Sequence, residues 1–278
     1  MLGEGASRGR RGFRVAIESV IRSLERMKIF ARWLVLSGLV ALTGRADVAP
    51  PTHIFLLVGQ SNMAGRGVVE ASDKVPHPRV VMLTQDLRWV PAVDPMHFDK
   101  PAMVGVGPGV SFGRAVADAH PDWRVGLVPA AFGGTSLDEW KPGGKLYTDA
   151  LTRIRAALRD GKLAGILWHQ GESDNTPDKA ATYATRFLAM ITQLRHDLDA
   201  PDIPVVIGEI GRFVERSALM NAELAKIPAQ ISNCGLVSSE KLTEKGDHLH
   251  FDAASQRELG RRYAAAFETI LVPPVRPR

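Results

Sequence analysis

After Pro51, short apolar segments alternate with longer segments of helical periodicity, and this alternation allows few folds. The apolar segments are rich in Val, Ile or Leu and are bounded by Gly, Pro or polar residues, as buried strands are. The predicted strands cover residues 53–58, 124–129, 165–168, 203–207 and, more weakly, 235–238. The predicted helices cover residues 110–119, 149–160, 179–198, 216–231 and 253–270. This order predicts an α/β fold with a central, mainly parallel sheet covered on both faces.

The N-terminal segment is typical of a protein-export signal. From Met27 the chain reads MKIFARWLVLSGLVALTGRA, with a basic start, an apolar stretch and a small-residue end. We therefore expect Met27 to be the true start and residues 1–49 to be an extension plus a signal peptide. The alternative is an uncleaved membrane anchor, although the apolar stretch is short for crossing a bilayer. The protein is thus expected to be periplasmic or secreted, with no stable membrane insertion after cleavage.

The positive net charge of the chain comes from the same N-terminal segment. Residues 1–49 hold 9 of the 35 Lys and Arg residues and 4 of the 30 Asp and Glu residues, leaving 26 of each. A neutral remainder gives no reason to expect nucleic-acid binding. Cys234 is the single cysteine, so an intrachain disulfide is impossible. Residues 50–278 are long enough for one well-buried α/β domain.

Polar motifs follow the predicted strands, where functional side chains of parallel α/β sheets gather. GQSN follows the first strand, AAFGGTSLDEW the second and HQGESD the third, and GDHLHFD precedes the last helix. The Ser61 hydroxyl could project from a turn, although a helix N-cap is the simpler interpretation of a lone serine. Met63 occupies the second glycine position of the GxSxG elbow, so an α/β-hydrolase elbow is not indicated.

A base for Ser61 is available in the final polar loop. Asp247 and His250 have the spacing D-x-x-H, which lets a carboxylate hold one tautomer of the imidazole and leaves the other nitrogen for a serine proton. Residues 247–252 could instead ligate a metal, but no second histidine cluster supports a metal site. For a developing oxyanion, Gly133 and Gly134 offer backbone N–H groups and Gln170 a side-chain amide. A plain turn remains the alternative for the two glycines.

GQSNMAG, GGTSLDEW, WHQGESD and DHLHFD, in this order across the chain, resemble the SGNH-hydrolase superfamily. The branch they are most similar to contains sialate O-acetylesterases and family 6 carbohydrate esterases of the acetylxylan esterase type. The resemblance implies a flavodoxin-like three-layer α/β/α fold and ester hydrolysis without metal or other cofactor. The substrate would be an acetylated carbohydrate.

Position by position, the resemblance implies Ser61 as nucleophile, His250 as base and Asp247 as the triad carboxylate. It implies an oxyanion hole formed by the N–H of Ser61, an N–H of Gly133 or Gly134, and the Gln170 side chain. Glu172 is the alternative carboxylate, because some relatives use the glutamate of HQGE; a hydrogen-bonding role behind the site is its other interpretation. The expected substrate contacts are Gln60, Asn62 and Trp140.

The sequence therefore predicts a serine esterase that removes acetyl groups from sugars through an acetyl-enzyme intermediate. A non-catalytic carbohydrate-binding domain, which would use aromatic side chains such as Trp89 and Phe132, is one alternative. A metal-dependent phosphoesterase that uses residues 247–252 is another. The glycan that is cleaved and the oligomeric state are left open by the sequence.

Overall fold

A seven-stranded sheet with the order β3-β2-β4-β1-β5-β6-β7 forms the centre of the structure. The computed structural model describes residues 48–272, so the predicted leader lies outside them except for its last two residues. The strands are β1 His53–Gly59, β2 Val80–Leu83, β3 Trp89–Pro91, β4 Val125–Pro129, β5 Lys162–His169, β6 Val205–Gly208 and β7 Cys234–Val237. Neighbouring strands pair in parallel, except that β3 pairs antiparallel with β2 at one edge. The predicted mainly parallel sheet is confirmed.

Helices cover both faces of this sheet. They are α1 Ser61–Ala64, α2 Pro108–Ala119, α3 Lys145–Ala157, α4 Pro177–Ala181, α5 Tyr183–Asp197, α6 Ser217–Leu224 and α7 Ala253–Leu271. Short 3₁₀ turns occupy Ala71–Lys74, Leu137–Trp140 and Glu172–Asp174. Between residues 48 and 272, no helix is long and apolar enough to cross a membrane.

Strand β1 shows why the sheet must be covered twice, because all seven of its residues are buried. Ile54, Leu56 and Val58 pack into a core with side chains from α3, α5 and α6. Phe55 and Leu57 pack into a second core with side chains from α2 and α7. Successive side chains of a strand point to opposite faces, so the continuous apolar stretch supplies two cores at once. The result is the expected three-layer α/β/α arrangement.

Two strands and two helices differ from the sequence prediction. Strands β2 and β3 lie within a stretch that the sequence analysis left unassigned, and their four and three residues are too short to show a period. The predicted helix 179–198 is interrupted at Thr182, which separates α4 from α5. The predicted helix 216–231 is shorter, since α6 ends at Leu224 and the following apolar residues continue as turns.

Candidate active site

The nucleophile candidate lies on a tight turn at the carboxyl end of β1. Gly59 has φ +126°, and a Cβ at this position would lie 2.1 Å from the carbonyl oxygen of His169 on the neighbouring strand β5. Only glycine permits this approach. The turn leads directly into α1, whose first residue is Ser61. The first N–H groups of a helix have no acceptor inside the helix. The N–H of Ser61 can therefore bind a group that the Ser61 hydroxyl also reaches.

The final polar loop brings His250 to Ser61. His250 Nε2 lies 2.9 Å from Ser61 Oγ, and His250 Nδ1 lies 2.7 Å from Asp247 Oδ2. An ionised carboxylate only accepts hydrogen bonds, so Nδ1 carries the hydrogen and Nε2 of the neutral ring faces the serine hydroxyl. The backbone N–H groups of Leu249 and His250 donate to Asp247 Oδ1 at 3.1 and 2.8 Å. The three side chains therefore have the geometry of a serine triad.

The electrostatics of this loop suit a base and its carboxylate partner. Burial alone would raise the pKa of Asp247, but the hydrogen bonds from the His250 ring and from the backbone N–H groups of His250 and Leu249 hold it well below its usual value. Burial lowers the pKa of His250, against the opposing hydrogen bond to Asp247. Near neutral pH the carboxylate is charged and the imidazole is neutral, which is the state that accepts a serine proton.

Asn62, expected to contact substrate, instead holds the two catalytic segments together. Its Nδ2 donates to the Leu249 carbonyl at 3.1 Å, and its Oδ1 accepts the Phe251 N–H at 3.2 Å. These two backbone groups flank His250 on either side. The same Nδ2 donates to Glu172 Oε1 at 2.6 Å, and Asn62 is fully buried. The amide of Asn62 is thus bound inside the protein, and its contact with substrate stays a prediction.

Glu172 is the carboxylate that the structure does not bring to His250. Its Oε1 accepts from Asn62, its Oε2 is buried without a hydrogen-bond partner among residues 48–272, and its side chain is 1% exposed. Burial raises its pKa to about 7, against the hydrogen bond from Asn62. His169 Nε2 lies 3.8 Å away, but burial lowers the pKa of that ring to about 3 and keeps it uncharged. Among the described residues Glu172 makes no hydrogen bond to His250, and its contacts agree with its other interpretation, a hydrogen-bond partner behind the site.

The two glycines predicted as oxyanion donors differ in the contacts of their N–H groups. The N–H of Gly133 donates to Asp99 Oδ2 at 2.8 Å, so of the two predicted alternatives, Gly133 and Gly134, it is the one that already has an acceptor. Gly134 is exposed with φ +81°. Within the described part of the chain, the N–H groups of Gly134 and Ser61 have no backbone acceptor. Of the predicted oxyanion donors, these two N–H groups are the ones without an acceptor among residues 48–272.

The side-chain amide of Gln170, the third predicted oxyanion donor, makes several hydrogen bonds within the protein. It is fully buried, and its Nε2 donates to Asp174 Oδ2 at 2.7 Å and lies 3.2 Å from both Gln60 Oε1 and the Thr135 carbonyl. Its Oε1 accepts from Tyr183 at 2.7 Å. The two amide hydrogens are thus committed to acceptors behind the site. Gln170 ties the loop after β4 to the loop after β5.

The two remaining predicted substrate contacts are both buried. Gln60 is 2% exposed and its Oε1 accepts from Gln170 and from the N–H of Ser173. Trp140 is 2% exposed, and its Nε1 donates to Thr135 Oγ1 at 3.1 Å. Its ring packs edge-to-face on Trp168 in the core. The 3₁₀ turn Leu137–Trp140 thus places this ring in the core, and its contact with substrate stays a prediction.

A buried ion pair beside Ser61 escaped the sequence analysis. Arg66 Nη2 lies 2.6 Å from Asp99 Oδ2, and the two side chains are 1% and 0% exposed. Arg66 Nη1 donates to the Gly65 carbonyl at 2.7 Å. Opposite charges buried without water persist only as a pair. The two residues are 33 positions apart with no shared motif, so nothing in the sequence pairs them.

The carboxylates and histidines of residues 247–252 make separate contacts. Asp252 Oδ1 accepts the Ser255 N–H at 2.7 Å and caps α7. The His248 side chain is 86% exposed and lies near Glu244, away from His250 and Ser61. Among residues 48–272, no group of three or more His, Cys, Asp or Glu side chains is arranged to hold a metal ion.

Comparisons of the sequence and of the structure with known proteins agree on one family. The sequence profile described as "Carbohydrate esterase, sialic acid-specific acetylesterase" matches residues 51–269. A probable carbohydrate esterase of Arabidopsis thaliana is 35% identical over 241 residues, which are 78% of this chain and 91% of that protein. An X-ray structure of an Arabidopsis thaliana protein superposes with a TM-score of 0.73 at 33% identity, covering 79% of this chain and 99% of that one.

More distant solved structures share the fold. The crystal structure of NanS has a TM-score of 0.67 at 19% identity and covers 80% of this chain and 98% of its own. A carbohydrate acetylesterase from Xanthomonas citri has a TM-score of 0.59 at 18% identity, covering 79% of this chain and 56% of that chain. These two similarities support the SGNH-like α/β architecture.

Proposed function

The chain belongs to the family of sialic acid-specific acetylesterases among the carbohydrate esterases, and we propose that it removes O-acetyl groups from carbohydrates through an acetyl-enzyme on Ser61. As a member of this family it is a carboxylic ester hydrolase. The observation that carries the proposal is the unbroken line of hydrogen bonds from Asp247 through His250 to Ser61. A serine hydroxyl is a weak nucleophile until a neighbouring base takes its proton.

The first half of the reaction forms the acyl-enzyme. Ser61 Oγ bonds to the acetyl carbonyl carbon while its proton moves to His250 Nε2. The carbonyl oxygen becomes an oxyanion that accepts from the N–H groups of Ser61 and Gly134. The bond between the carbonyl carbon and the sugar oxygen then breaks, and His250 returns the proton to that oxygen. Asp247 stays ionised and stabilises the imidazolium.

The second half regenerates the enzyme. Water gives a proton to His250 Nε2 and attacks the acetyl-enzyme carbonyl, so that a second oxyanion forms in the same place. Collapse of this intermediate breaks the bond to Ser61 Oγ, which recovers its proton from His250. Acetate leaves, and no electron donor or acceptor is required.

Replacement of the nucleophile tests this function. In Ser61→Ala, p-nitrophenyl acetate hydrolysis and acetate release from acetylated glycans should fall on the order of a million-fold, the loss known for a removed serine nucleophile. A fluorophosphonate probe should label the wild-type protein at Ser61 and leave the variant unlabelled. Full activity of Ser61→Ala, or labelling elsewhere with loss of activity, would contradict the mechanism.

We also propose export through the N-terminal segment, from the basic, apolar and small-residue order of residues 27–46. Expression of the full chain in a Gram-negative host should place the protein in the periplasm. The new N-terminus should lie near Ala46. An intact N-terminus in the cytoplasmic fraction would contradict this proposal.

A further inference from the structure

The Asp99 carboxylate connects the nucleophile segment to the loop that follows β4. Its Oδ2 accepts from Arg66 Nη2 at 2.6 Å and from the N–H of Gly133 at 2.8 Å. Its Oδ1 has no hydrogen-bond partner among residues 48–272, so a single oxygen atom makes both contacts. Arg66 comes shortly after α1, which begins with Ser61, and Gly133 belongs to the predicted oxyanion loop. Asp99 therefore joins two segments that act on the same carbonyl group.

Charge strengthens the contact between Asp99 and this loop. Burial alone would raise the pKa of Asp99, but the hydrogen bonds from Arg66 and from the Gly133 N–H hold it below its usual value. The carboxylate is therefore ionised near neutral pH. A hydrogen bond to an ionised acceptor is roughly twice as strong as one between neutral groups. The guanidinium of Arg66 compensates the charge, because a buried carboxylate without a cation would be very unfavourable.

The backbone of the loop needs such a contact to keep one conformation. The N–H of Phe132 donates to the carbonyl of Gly59, on the nucleophile turn, at 3.0 Å. Two glycines follow, and glycine has more backbone freedom than any other residue. The hydrogen bond to Asp99 holds the first of them, Gly133, and the peptide group that carries the Gly134 N–H comes next. The direction of this N–H therefore depends on where Asp99 lies.

The two glycines of the loop are required for different reasons. Gly134 has φ +81°, which favours glycine, whereas Gly133 does not have a positive φ. A Cβ at Gly133 would lie 2.3 Å from Arg66 Nη2 and 2.8 Å from Asp99 Oδ2. It would also lie 3.3 Å from the Cβ of Ser61. A side chain at this position would displace the ion pair, so the absence of one lets the pair lie directly against the loop and the nucleophile.

We propose that Asp99, held by Arg66, is a positioning residue for the oxyanion hole. It fixes Gly133 and thereby turns the N–H of Gly134 towards the carbonyl oxygen of the ester that Ser61 attacks. This role rests on the proposed esterase function, and neither member of the ion pair touches the reacting atoms. An oxyanion donor acts fully only when it points to the place where the charge develops. Loss of the pair should therefore slow the chemical step and leave binding of the ground-state ester nearly unchanged.

The test removes the acceptor without leaving a buried charge, by combining Arg66→Met with Asp99→Leu. Leucine branches at the same atom as aspartate, and apolar replacement of a buried ion pair often preserves folding. Active sites are counted by fluorophosphonate labelling taken to completion. Per labelled site, kcat for p-nitrophenyl acetate should fall about a hundredfold with KM nearly unchanged.

Methylboronic acid gives a second measurement on the same double variant. Its boron bonds to Ser61 Oγ, the serine proton passes to His250, and a boron-bound oxygen takes the place of the oxyanion. The inhibition constant should therefore rise by a factor similar to the fall in kcat. A role in folding alone would lower the number of labelled sites and leave both quantities per site unchanged, which would overturn the proposal.

Asp94→Asn is the matched control. Asp94 is also buried, at 3% exposure, and its Oδ1 accepts a glycine N–H at 3.3 Å, but that glycine is Gly107 at the start of α2. This variant should keep the kcat and the inhibition constant of wild type. Asp99→Asn keeps an oxygen for Gly133 without the charge, should lose about tenfold in kcat, and serves if the double variant does not fold.

Two results would overturn the positioning role. One is an unchanged kcat per labelled site when Asp99 is replaced. The other is a higher kcat, which would show that the released Gly133 N–H is itself an oxyanion donor. Failure of the esterase proposal would appear separately, as p-nitrophenyl acetate hydrolysis that survives Ser61→Ala.

Discussion

Two carboxylates lie close to the His250 loop, and their surroundings give them opposite properties. The Asp247 side chain is 37% exposed, accepts from the His250 ring and has a lowered pKa. The Glu172 side chain is 1% exposed, accepts from Asn62 and has a pKa raised to about 7. Both residues belong to motifs at strand or helix ends, and the sequence offers either as partner of the histidine. Their contacts distinguish them: Asp247 binds the ring of His250, whereas Glu172 binds Asn62, which holds the loop.

Two separate sets of contacts position His250. Asp247 selects the tautomer of His250 directly, through Nδ1. Glu172 acts one residue further away, because it binds the Asn62 amide that also binds the backbone on both sides of His250. Removal of the first should therefore affect the proton transfer. Removal of the second should affect where the loop lies.

The largest expected effect is that of Asp247→Asn compared with Glu172→Gln. Asp247→Asn should lower kcat for p-nitrophenyl acetate by about ten-thousand-fold, because asparagine favours the wrong tautomer of the ring. Glu172→Gln keeps an oxygen for Asn62 and should lower kcat less than tenfold. Steady-state kinetics with matched circular dichroism spectra measures both. Equal losses in the two variants would remove the distinction.

A smaller loss of activity is expected when the hydrogen bonds between Asn62 and the His250 loop are removed. Asn62→Ala removes the bonds to Leu249 and Phe251 and should lower kcat by about a hundredfold, the scale of a 1 Å misplacement of a catalytic group. Glu172→Ala should act in the same direction and more weakly than Asn62→Ala. If Asn62 contacted substrate, KM would rise with kcat nearly unchanged. That pattern would reverse the positioning role.

The two carboxylates should also give opposite pH dependences of stability. Glu172 has a folded-state pKa of about 7 against a usual 4.5, so its contribution is complete below pH 4.5 and is lost as the pH rises through 7. Asp247 has a lowered pKa, so its contribution is present above its usual 3.8 and is lost as the pH falls. The unfolding free energy of Glu172→Gln minus that of wild type should therefore be larger at pH 8 than at pH 4.5, by up to roughly 3 kcal/mol. Urea unfolding at both pH values tests this, and a constant difference would contradict a buried ionising Glu172.

The smallest expected effect concerns the pH profile of activity. His250 must be neutral to take the serine proton, and burial lowers its pKa. Thus kcat/KM should fall as the pH drops, with a midpoint below 6.5. Glu172→Gln should leave this midpoint within a few tenths of a unit. If kcat/KM of the wild type instead falls with a midpoint near pH 7, and this fall is absent in Glu172→Gln, the ionisation belongs to Glu172.

The sequence analysis succeeded where chemistry followed directly from position along a strand. Ser61 after β1 and the D-x-x-H spacing of Asp247 and His250 were predicted from motifs, and the structure brings all three together. The same reasoning gave no sign of the internal contacts of Gln170, Asn62 and Trp140, whose polar atoms bind other parts of the protein. A strand-end motif tells which residues are near the site. It does not tell which side chains face a substrate and which face the core.

What the sequence determined by itself is the layered α/β architecture, because a buried strand must be apolar on both faces and a covering helix on one. It also determined the type of chemistry, through a serine, a histidine and a carboxylate placed at strand and helix ends. Only the tertiary structure placed Asp247 and not Glu172 against the His250 ring, paired Arg66 with Asp99, and gave the Gly133 N–H to a carboxylate. These outcomes depend on contacts between residues far apart in the chain, whose distances and burial exist only once the sheet has formed.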